Sequence, residues 1–289
     1  MMKKILTFGA SGKLGEHVLR ELKSAGYWVR AVSRNRGNIA HLSEFYDEAV
    51  IGDLTKPETL ANVCDGIDGI FSSAGASLNI RDLKDRQSYY EVDYQGHMNL
   101  LRFAGDAGIK KFVYVSVFGA RKQRHLEYSD AHEKFVDELA QFGIDHTVIR
   151  PTGFFYVFQE IFNLAKSGVA VQIGNGQSRT NPIHEADLAK VCVEAFKTNE
   201  KSIDVGGPEI FTRQETAELA FEALNKKSRV LSVPPIIFQG AAAAIRPFNP
   251  RIHALLSFGK EVSLGEIVAP KSGSRRLIEY YKALVNGQV

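Results

Sequence analysis

Three glycines near the N-terminus have the spacing of a turn that binds a diphosphate. Gly9, Gly12 and Gly15 follow an apolar run at residues 3–8. In such a turn the first glycine lets the chain leave the strand sharply, the second leaves room for a pyrophosphate beside the backbone, and the third lets the next helix lie close to the sheet. The free N–H groups and the dipole at the start of that helix favour negative charge. These residues predict a dinucleotide site, and a turn that only packs a helix is the alternative.

The end of the next apolar run indicates which dinucleotide binds. About twenty residues beyond the first glycine, an NAD site usually carries an acid that binds the ribose hydroxyls. Here the run at 28–32 ends in Ser33, Arg34, Asn35 and Arg36. An arginine at this point can bind a 2′-phosphate through its planar guanidinium, and the missing acid removes a repulsive charge. The sequence therefore favours NADPH over NADH, unless the two arginines are only solvated loop charges.

The elements that must position this site alternate regularly along the chain. Leu14, Val18 and Leu22 recur at helical spacing directly after the glycine turn. Further apolar strands are predicted at 49–52, 69–73, 112–117 and 146–149. Helices are predicted between them at 55–64, around Val92 to Ala104, and from a cap at Ser129 to Phe142. Six strand-helix units predict an α/β fold with a Rossmann-type doubly wound parallel sheet.

The regular alternation ends after Arg150, and the remaining elements are of mixed type. Helices are expected at 154–165, from near Glu185, and at 213–224, with strands at 169–173, 202–205 and 229–233. We expect an NADP-binding Rossmann domain over residues 1–150 and, over 151–289, a smaller C-terminal α/β substrate lobe interleaved with it. The apolar segment 234–258 is broken by Pro247 and Pro250. It is therefore predicted to be a buried or partner-facing helical segment rather than a membrane attachment.

Composition narrows the class of protein. The chain has 289 residues, of which 44% are apolar, enough for a globular core. Its net charge of +3 is too small to indicate a nucleic-acid partner. Cys64 and Cys192 are far apart without metal-ligand spacing, so we expect free core thiols and no metal. With neither a signal sequence nor a membrane span in view, we expect a cytoplasmic monomer or homodimer whose partner is a small-molecule substrate.

Several short motifs together resemble one known family. They are Gly-Ala-Ser-Gly-Lys-Leu-Gly at 9–15, Gly-Asp-Leu at 52–54, the stretches at 92–101 and 182–189, Ile-Arg-Pro at 149–151, and Gly-Gly-Pro at 206–208. This set resembles the NmrA-like and isoflavone-reductase-like atypical short-chain dehydrogenase/reductases, from the first strand to about residue 225. The resemblance implies that the glycine turn and the following arginine hold NADP, that the Gly-Asp-Leu acid contacts adenine, and that the end of the fourth strand lines the adenine ribose. The cofactor residues it implies are Gly9, Ala10, Ser11, Gly12, Lys13, Leu14, Gly15, Ser33, Arg34, Asp53, Leu54, Ser73, Ala74, Gly75, Lys134 and Pro151.

The same resemblance implies a catalytic serine, tyrosine and lysine, and here the chain departs from the pattern. In typical members the tyrosine gives a proton to the substrate oxygen, while the lysine four residues later holds the nicotinamide ribose and lowers the pKa of the tyrosine. Ser116 and Lys134 match, but Asp130 stands where the tyrosine is expected. Tyr128 would lie about 120° from the lysine on a continuous helix, or else in the preceding loop. Lys134 is thus the candidate ribose anchor and acid/base, Tyr128 the alternative proton donor, and Ser116 either a substrate contact or a polar strand end.

Other residues have two interpretations each. The basic loop 121–125 either binds an anionic substrate or is solvated. The aromatic residues Phe154, Phe155, Tyr156, Phe158 and Phe162 either wall an apolar pocket or belong to the core. His184 and Asp187 are expected to stabilise a loop-to-helix junction rather than to bind a metal.

Three functions are consistent with these residues. The favoured hypothesis is an NADPH-dependent reductase of a small organic molecule with a carbonyl group or a conjugated double bond. The missing tyrosine motivates the first alternative, an NmrA-like regulator that senses NADP(H) without turnover. The apolar segment 234–258 motivates the second, a scaffold resembling the reductase-like accessory subunit of respiratory complex I.

Overall fold

A computed structural model of the chain describes residues 3–78 and 86–288, and the elements below are those of these residues. The strands are β1 (Lys4–Phe8), β2 (Trp28–Ser33), β3 (Glu48–Ile51), β4 (Gly69–Ser72), β5 (Lys111–Val115), β6 (Asp145–Pro151), β7 (Ala170–Ile173), β8 (Arg179–Thr180), β9 (Ser202–Val205), β10 (Phe211–Thr212) and β11 (Val230–Val233). The helices are α1 (Lys13–Ser24), α2 (His97–Asp106), α3 (Glu127–Gln141), α4 (Phe155–Lys166), α5 (Glu185–Glu194), α6 (Arg213–Ala223), α7 (Pro235–Ile245), α8 (Pro250–Leu264) and α9 (Leu277–Val285).

The main sheet has seven strands in the order β3-β2-β1-β4-β5-β6-β9. Its strands pair in parallel register, for example Ile5 with Val29 on one side and Ile5 with Gly69 on the other. The order reverses direction between β1 and β4, and the carboxyl ends of strands on both sides of such a switch point form a crevice where ligands bind. The predicted Rossmann-type doubly wound sheet is confirmed, with β9 as a seventh strand.

The described residues divide into two compact units. The first comprises Met1–Arg150 and Leu188–Ile203, and one core cluster in it is formed by the sheet with α2 and α3, while α1 packs against β1 and β2. Leu14, Val18, Leu19 and Leu22 of α1 are buried, as the helical spacing predicts. The second comprises Pro151–Asp187 and Asp204–Val289, and α4, α6 and α9 share its aromatic core. The proposed division of labour, a nucleotide domain and a substrate lobe, stays a prediction.

Two helix predictions are wrong in detail. Only a short 3-10 turn, Pro57–Leu60, forms within 55–64. Side-chain hydrogen bonds compete with helix formation there, since Thr59 Oγ1 donates to the Lys56 carbonyl and Asn62 has a left-handed φ of 65°. Ser129 does not cap α3, because the helix begins at Glu127 and Ser129 is buried within its first turn.

The segment before α2 is also irregular. A π-helical stretch, Tyr90–Gly96, leads directly into α2, so the predicted long helix around Val92 to Ala104 is made of two kinds of turn. Such wide turns are rare and are frequent at functional sites. This one buries Val92, Asp93 and Gly96.

The segment 234–258 forms α7 and most of α8, as two helices rather than one. Ile236, Ile237 and Phe248 are exposed in this region, whereas Ala242 and Ile252 are buried. Within residues 3–78 and 86–288, we find no helix with the length and apolar character needed to cross a membrane.

Candidate cofactor site

The glycine turn connects β1 to α1 and is shaped by close backbone contacts. Gly9 has a left-handed φ of +82°, and a Cβ atom there would lie 2.8 Å from the Ala74 amide nitrogen. A Cβ atom on Gly15 would lie 2.0 Å from the Gly9 carbonyl oxygen. Both positions therefore require glycine for packing: Gly9 against the end of β4, and Gly15 against the end of β1.

Gly12 is different, because packing leaves one side of it open. A Cβ atom there would meet one described atom within 4 Å, the Gly9 carbonyl oxygen at 3.3 Å. Gly12 is the N-cap of α1, and it has no side chain to accept hydrogen bonds from the first turn. The Gly12 N–H donates to the Gly9 carbonyl at 2.9 Å, so the N–H groups offered by the start of this helix begin at Lys13. Such N–H groups favour an anionic ligand. Ala10 and Leu14 are buried beneath the turn, while Ser11 and Lys13 are exposed.

The end of β2 presents cations and no carboxylate. Ser33 is buried, and its hydroxyl group donates to the carbonyl oxygen of Asn35 at 2.9 Å. Asn35 caps the following 3-10 turn by accepting the Gly37 N–H at 2.8 Å. Arg34 and Arg36 are exposed on either side of it. The local hydrogen bonds thus fix the backbone that carries both arginines while their side chains reach solvent.

The ends of β3 and β4 complete this edge of the sheet. The Gly52 N–H donates to the Ser33 carbonyl, which ties the residues before Asp53 to the end of β2. Asp53 Oδ1 accepts hydrogen bonds from the Thr55 backbone and hydroxyl, and the buried Leu54 accepts one from Asn99 through its carbonyl.

After β4, the Ser73 N–H donates to the Phe8 carbonyl at 3.2 Å. The structure thereby brings Ser73 and Ala74 against the glycine turn and places Gly75 directly after them. The candidate cofactor residues of the glycine turn, of 33–34, of 53–54 and of 73–75 therefore lie together along the carboxyl ends of β1 to β4.

A buried polar cluster, which we did not predict from the sequence, lies beneath the loop that follows β4. Asp93 Oδ2 accepts the Ala76 N–H at 3.1 Å, and Asp93 Oδ1 lies 3.5 Å from His132 Nε2. On its other side, His132 Nδ1 lies 2.6 Å from the Tyr114 hydroxyl oxygen. His97 joins the cluster, with Nδ1 at 3.0 Å from the Asp93 carbonyl. All four side chains are almost completely buried.

Burial shifts the pKa values in this cluster toward the neutral forms. It raises the pKa of Asp93 to about 8, although the hydrogen bond from Ala76 opposes the shift. It lowers the pKa of His97 to about 4 and that of His132 to about 3, the latter with help from the charges of His97 and Arg150. Both histidines are therefore neutral near pH 7, and Asp93 is poised to titrate close to it.

The Ser116 hydroxyl group is hydrogen-bonded to a buried ion pair formed by Glu133 and Arg150. The hydroxyl group donates to Glu133 Oε1 at 3.0 Å. Arg150 donates from Nη2 to both oxygens of Glu133, at 3.0 Å and 2.9 Å, and from Nε at 3.2 Å. Ser116 therefore keeps lone pairs to accept a hydrogen bond, but its own proton points at Glu133.

Lys134 lies in a second cluster on the exposed side of α3. Its ammonium group is 3.3 Å from Asp130 Oδ2 and lies over the Tyr90 ring, 4.6 Å from the ring centre. The Tyr90 hydroxyl group donates to the same Asp130 oxygen at 2.5 Å, and Arg124 donates to the other oxygen at 3.0 Å. Burial alone would raise the pKa of Asp130, but the hydrogen bonds from Tyr90, Arg124 and Lys134 lower it. Asp130 is therefore a carboxylate that fixes the lysine.

Tyr128 is part of α3 and not of the preceding loop. Its ring packs edge-on against Tyr89 and His132, with ring centres 4.9 Å and 4.8 Å apart. Tyr128 and His132 are one turn apart and share a face, whereas Lys134 and Asp130 share another. The three candidate catalytic residues thus belong to different clusters: Ser116 with Glu133, Tyr128 with His132, and Lys134 with Asp130.

The remaining candidates take structural positions. Pro151 is the last residue of β6. Phe155, Phe158 and Phe162 belong to the aromatic core of the second unit, while the rings of Phe154 and Tyr156 stack on each other.

Asp187 ties the start of α5 to a later segment of the second unit. It accepts the backbone N–H groups of Ser274 and Arg275 and pairs with the Arg275 guanidinium. His184 Nδ1 accepts the Ala186 N–H at 3.0 Å. Across the described residues, the side chains of His, Cys, Asp and Glu form no group suited to a metal ion.

The charged loop and the two cysteines are also accounted for. Arg121 lies 3.5 Å from Glu133, and Arg124 pairs with Asp130 and Asp137.

Cys64 and Cys192 are free and buried, and burial raises the pKa of the Cys64 thiol to about 12.

Comparisons with known proteins agree with this geometry. Residues 9–199 match a family model described as NAD(P)H-binding. Similar curated proteins include the photosystem II assembly factor Ycf39 of Synechocystis, which is 26% identical over 276 residues, 91% of this chain and 81% of the relative. The chloroplastic divinyl chlorophyllide a 8-vinyl-reductase of Zea mays is 28% identical over 260 residues, 80% of this chain and 61% of the relative.

One similar solved structure is the NADPH-dependent quinone oxidoreductase QOR2 of Escherichia coli, complexed with NADPH. It has a TM-score of 0.77 at 19% identity, and the match covers 98% of this chain and 100% of that one. At this identity the match shows a shared fold.

Proposed function

Given that this chain belongs to the NAD(P)H-binding family, we propose that it is an NADPH-dependent reductase of a small organic substrate with a carbonyl group or a conjugated double bond. One observation carries the proposal. The glycine turn lies at the carboxyl edge of the sheet with open space beside Gly12, and the residues after β2 include Arg34 and no acid. The family supplies the nicotinamide chemistry, and the arginine supports the preference for NADPH.

The residues present fit such a cofactor. Backbone N–H groups of the first turn of α1, from Lys13 onward, would hold the diphosphate, because the Gly12 N–H already donates to the Gly9 carbonyl. The exposed Arg34 would bind the 2′-phosphate with its planar guanidinium, Asp53 would contact the adenine, and residues 73–75 would line the adenine ribose. When bound, the nicotinamide supplies hydride to the substrate.

The proton that completes the reduction must then come from the protein or from water, and we propose Lys134 as its donor. Its ammonium group is held at one place by Asp130 and the Tyr90 ring, which limits the rotamers that a lysine on a helix surface can adopt. Held there, it would anchor the nicotinamide ribose and donate a proton to the reduced substrate. Tyr128, half-buried against His132, is the alternative donor. Ser116 would only accept a hydrogen bond from the substrate, because its proton goes to Glu133.

The substrate class is proposed from chemistry shared by the similar proteins. One is named for reduction of a vinyl group and one for reduction of quinones. A quinone is a conjugated dicarbonyl compound and a vinyl group is a carbon–carbon double bond, which are the two kinds of substrate proposed here.

A second candidate function is an NADP(H)-binding assembly or regulatory protein without turnover. Two observations favour it: Asp130 stands at the position of the family tyrosine, and relatives of similar identity are named as photosystem II assembly factors. The exposed apolar side chains of Ile236, Ile237 and Phe248 would then contact a protein partner.

A turnover experiment separates the two candidates. Purified protein is mixed with NADPH and a panel of quinones, enones and vinyl-conjugated compounds, and NADPH oxidation is followed by absorbance. The reductase proposal predicts oxidation with at least one class and its loss in Lys134→Ala. The matched control is Lys227→Ala, at an exposed lysine of the second unit, which should keep full activity. Clear NADPH binding with no oxidation of any compound would favour the regulator.

A further inference from the structure

The loop at residues 73–76 is held from two sides. On one side it contacts the end of β1, where the Ser73 N–H donates to the Phe8 carbonyl, and the glycine turn at Gly9. On the other side it contacts Asp93, whose Oδ2 accepts the Ala76 N–H at 3.1 Å. A Cβ atom on Gly75 would lie 2.6 Å from Asp93 Oδ1, so the loop backbone lies directly on this carboxyl group. Asp93 is only 1% exposed.

The contact with Ala76 uses one oxygen of Asp93 and leaves the other to a weak interaction. Among the described residues, neither Asp93 Oδ1 nor His132 Nε2 has a hydrogen-bond partner, and the two atoms face each other at 3.5 Å. His132 Nδ1 is already engaged by Tyr114 at 2.6 Å. A buried acid and a buried imidazole with unused atoms toward each other form a pair that can be hydrogen-bonded in either protonation state of the acid.

The two arrangements differ by one proton on the Asp93 carboxyl group. In the first, Asp93 is ionised, His132 carries its proton on Nε2 toward Oδ1, and the Tyr114 hydroxyl group donates to Nδ1. In the second, Asp93 gains a proton on Oδ1 and points it at Nε2, and the imidazole proton moves to Nδ1 toward the Tyr114 oxygen. His132 stays neutral in both, in keeping with its low pKa.

We propose that Asp93 is a positioning residue for nucleotide binding, which sets the shape of the loop at 73–76 according to its protonation. An ionised carboxylate accepts the Ala76 N–H in a charge-assisted hydrogen bond, about twice as strong as a neutral one, and holds the loop firmly. A protonated carboxyl group holds it less firmly. The inference rests on the proposed function, because the loop is assigned to the cofactor there.

Protonation of Asp93 changes within an accessible pH range. The groups that face it are His132 from α3, Tyr114 from β5, His97 from α2 and the Ala76 N–H, and both histidines are neutral there. Its pKa of about 8 places the ionised, loop-holding form above that pH. NADPH affinity should therefore rise as the pH rises through 8.

The test compares the wild type with Asp93→Asn, because the amide keeps the shape and mimics the protonated acid. NADPH dissociation constants are measured by calorimetry from pH 6.5 to 9. Ionisation of NADPH affects both dissociation constants equally, so its effect cancels in their ratio at each pH. We expect a ratio near one at pH 6.5 and roughly fivefold weaker binding by the variant at pH 9. Asp106→Asn, at an exposed acid of α2, is the matched control and should give a ratio near one throughout.

A second measurement needs no cofactor. The amide resonance of Ala76 is followed by NMR in the free wild-type protein, and we expect its chemical shift to titrate with a midpoint near pH 8. Where the variant folds, this midpoint should be missing from it. NADPH binding with a constant ratio, or an Ala76 amide without this midpoint, would overturn the inference alone. No NADPH binding at any pH would contradict the proposed function as well.

Discussion

Replacement of Arg150 by methionine should destabilise the first unit strongly. Arg150 and Glu133 are 4% and 2% exposed, and three hydrogen bonds of 2.9 to 3.2 Å join them. Arg150→Met removes the buried cation and leaves the Glu133 carboxylate with only the Ser116 hydroxyl group and the exposed Arg121 beside it. Breaking a buried pair in this way costs about 3–5 kcal/mol. For a unit of this size that corresponds to a fall in Tm of roughly 6–20 °C.

The assay uses Trp28, the single tryptophan of the chain, which lies in β2 of the first unit. Its fluorescence reports thermal unfolding of that unit. The matched control is Arg121→Met, because Arg121 lies 3.5 Å from the same carboxylate but is 68% exposed. An exposed pair contributes about 0–1 kcal/mol, so the control should lower Tm by only a few degrees.

The double variant Glu133→Leu with Arg150→Met completes the design. It removes both charges, and buried pairs replaced by apolar residues often cost little or even stabilise. We expect it to be more stable than Arg150→Met alone. The reasoning is refuted if Arg150→Met and Arg121→Met lower Tm equally, or if the double variant is the least stable of the three.

Three further outcomes are expected. Ser116→Ala should reduce NADPH oxidation by less than about tenfold, because the Ser116 proton goes to Glu133 and the serine is not the general acid. Loss of a general acid costs about 10²–10⁴-fold, so a loss of that size in steady-state kinetics would contradict this role. Gly15→Ala should weaken NADPH binding by roughly fivefold to 150-fold in calorimetry, since overpacking costs about 1–3 kcal/mol. Gly259→Ala, whose Cβ meets open space, should not weaken binding. Cys64 should resist alkylation at pH 8 until urea unfolds the chain, because burial raises the pKa of its thiol to about 12. Mass spectrometry detects the label, and rapid labelling of the folded protein would contradict the burial of Cys64.

Local patterns predicted the part of the molecule that local interactions determine. The spacing of Leu14, Val18 and Leu22 predicted the buried face of α1, and the glycine spacing predicted a turn that the structure has. The same reasoning failed at 55–64, where hydrogen bonds of Thr59 and the left-handed Asn62 outweigh helical propensity. Those bonds depend on which side chain reaches which carbonyl, and residue order alone does not specify that.

The cluster around Asp93 was missed for a different reason. Asp93, Tyr114 and His132 come from three elements, and only the folded sheet brings them together. One signal was available, since an acid between Val92 and Tyr94 within an apolar pattern indicates a carboxyl group that must be buried with a partner.

Helical spacing predicted only part of the arrangement at the catalytic positions. It separated Tyr128 from Lys134, and the structure has them on different faces of α3. It did not indicate that Asp130 would bind Lys134, Tyr90 and Arg124 together.

The proposed reductase depends above all on binding of NADPH through Arg34. The most direct measurement is a calorimetric titration of the wild type, Arg34→Ala and the control Arg102→Ala with NADPH and with NADH. We expect the wild type to bind NADPH more tightly than NADH. Arg34→Ala should lower NADPH affinity roughly tenfold to a hundredfold and leave NADH affinity unchanged, since only NADPH carries the 2′-phosphate. Equal binding of the two nucleotides by the wild type, or an equal loss of both in Arg34→Ala, would show that Arg34 does not select the 2′-phosphate.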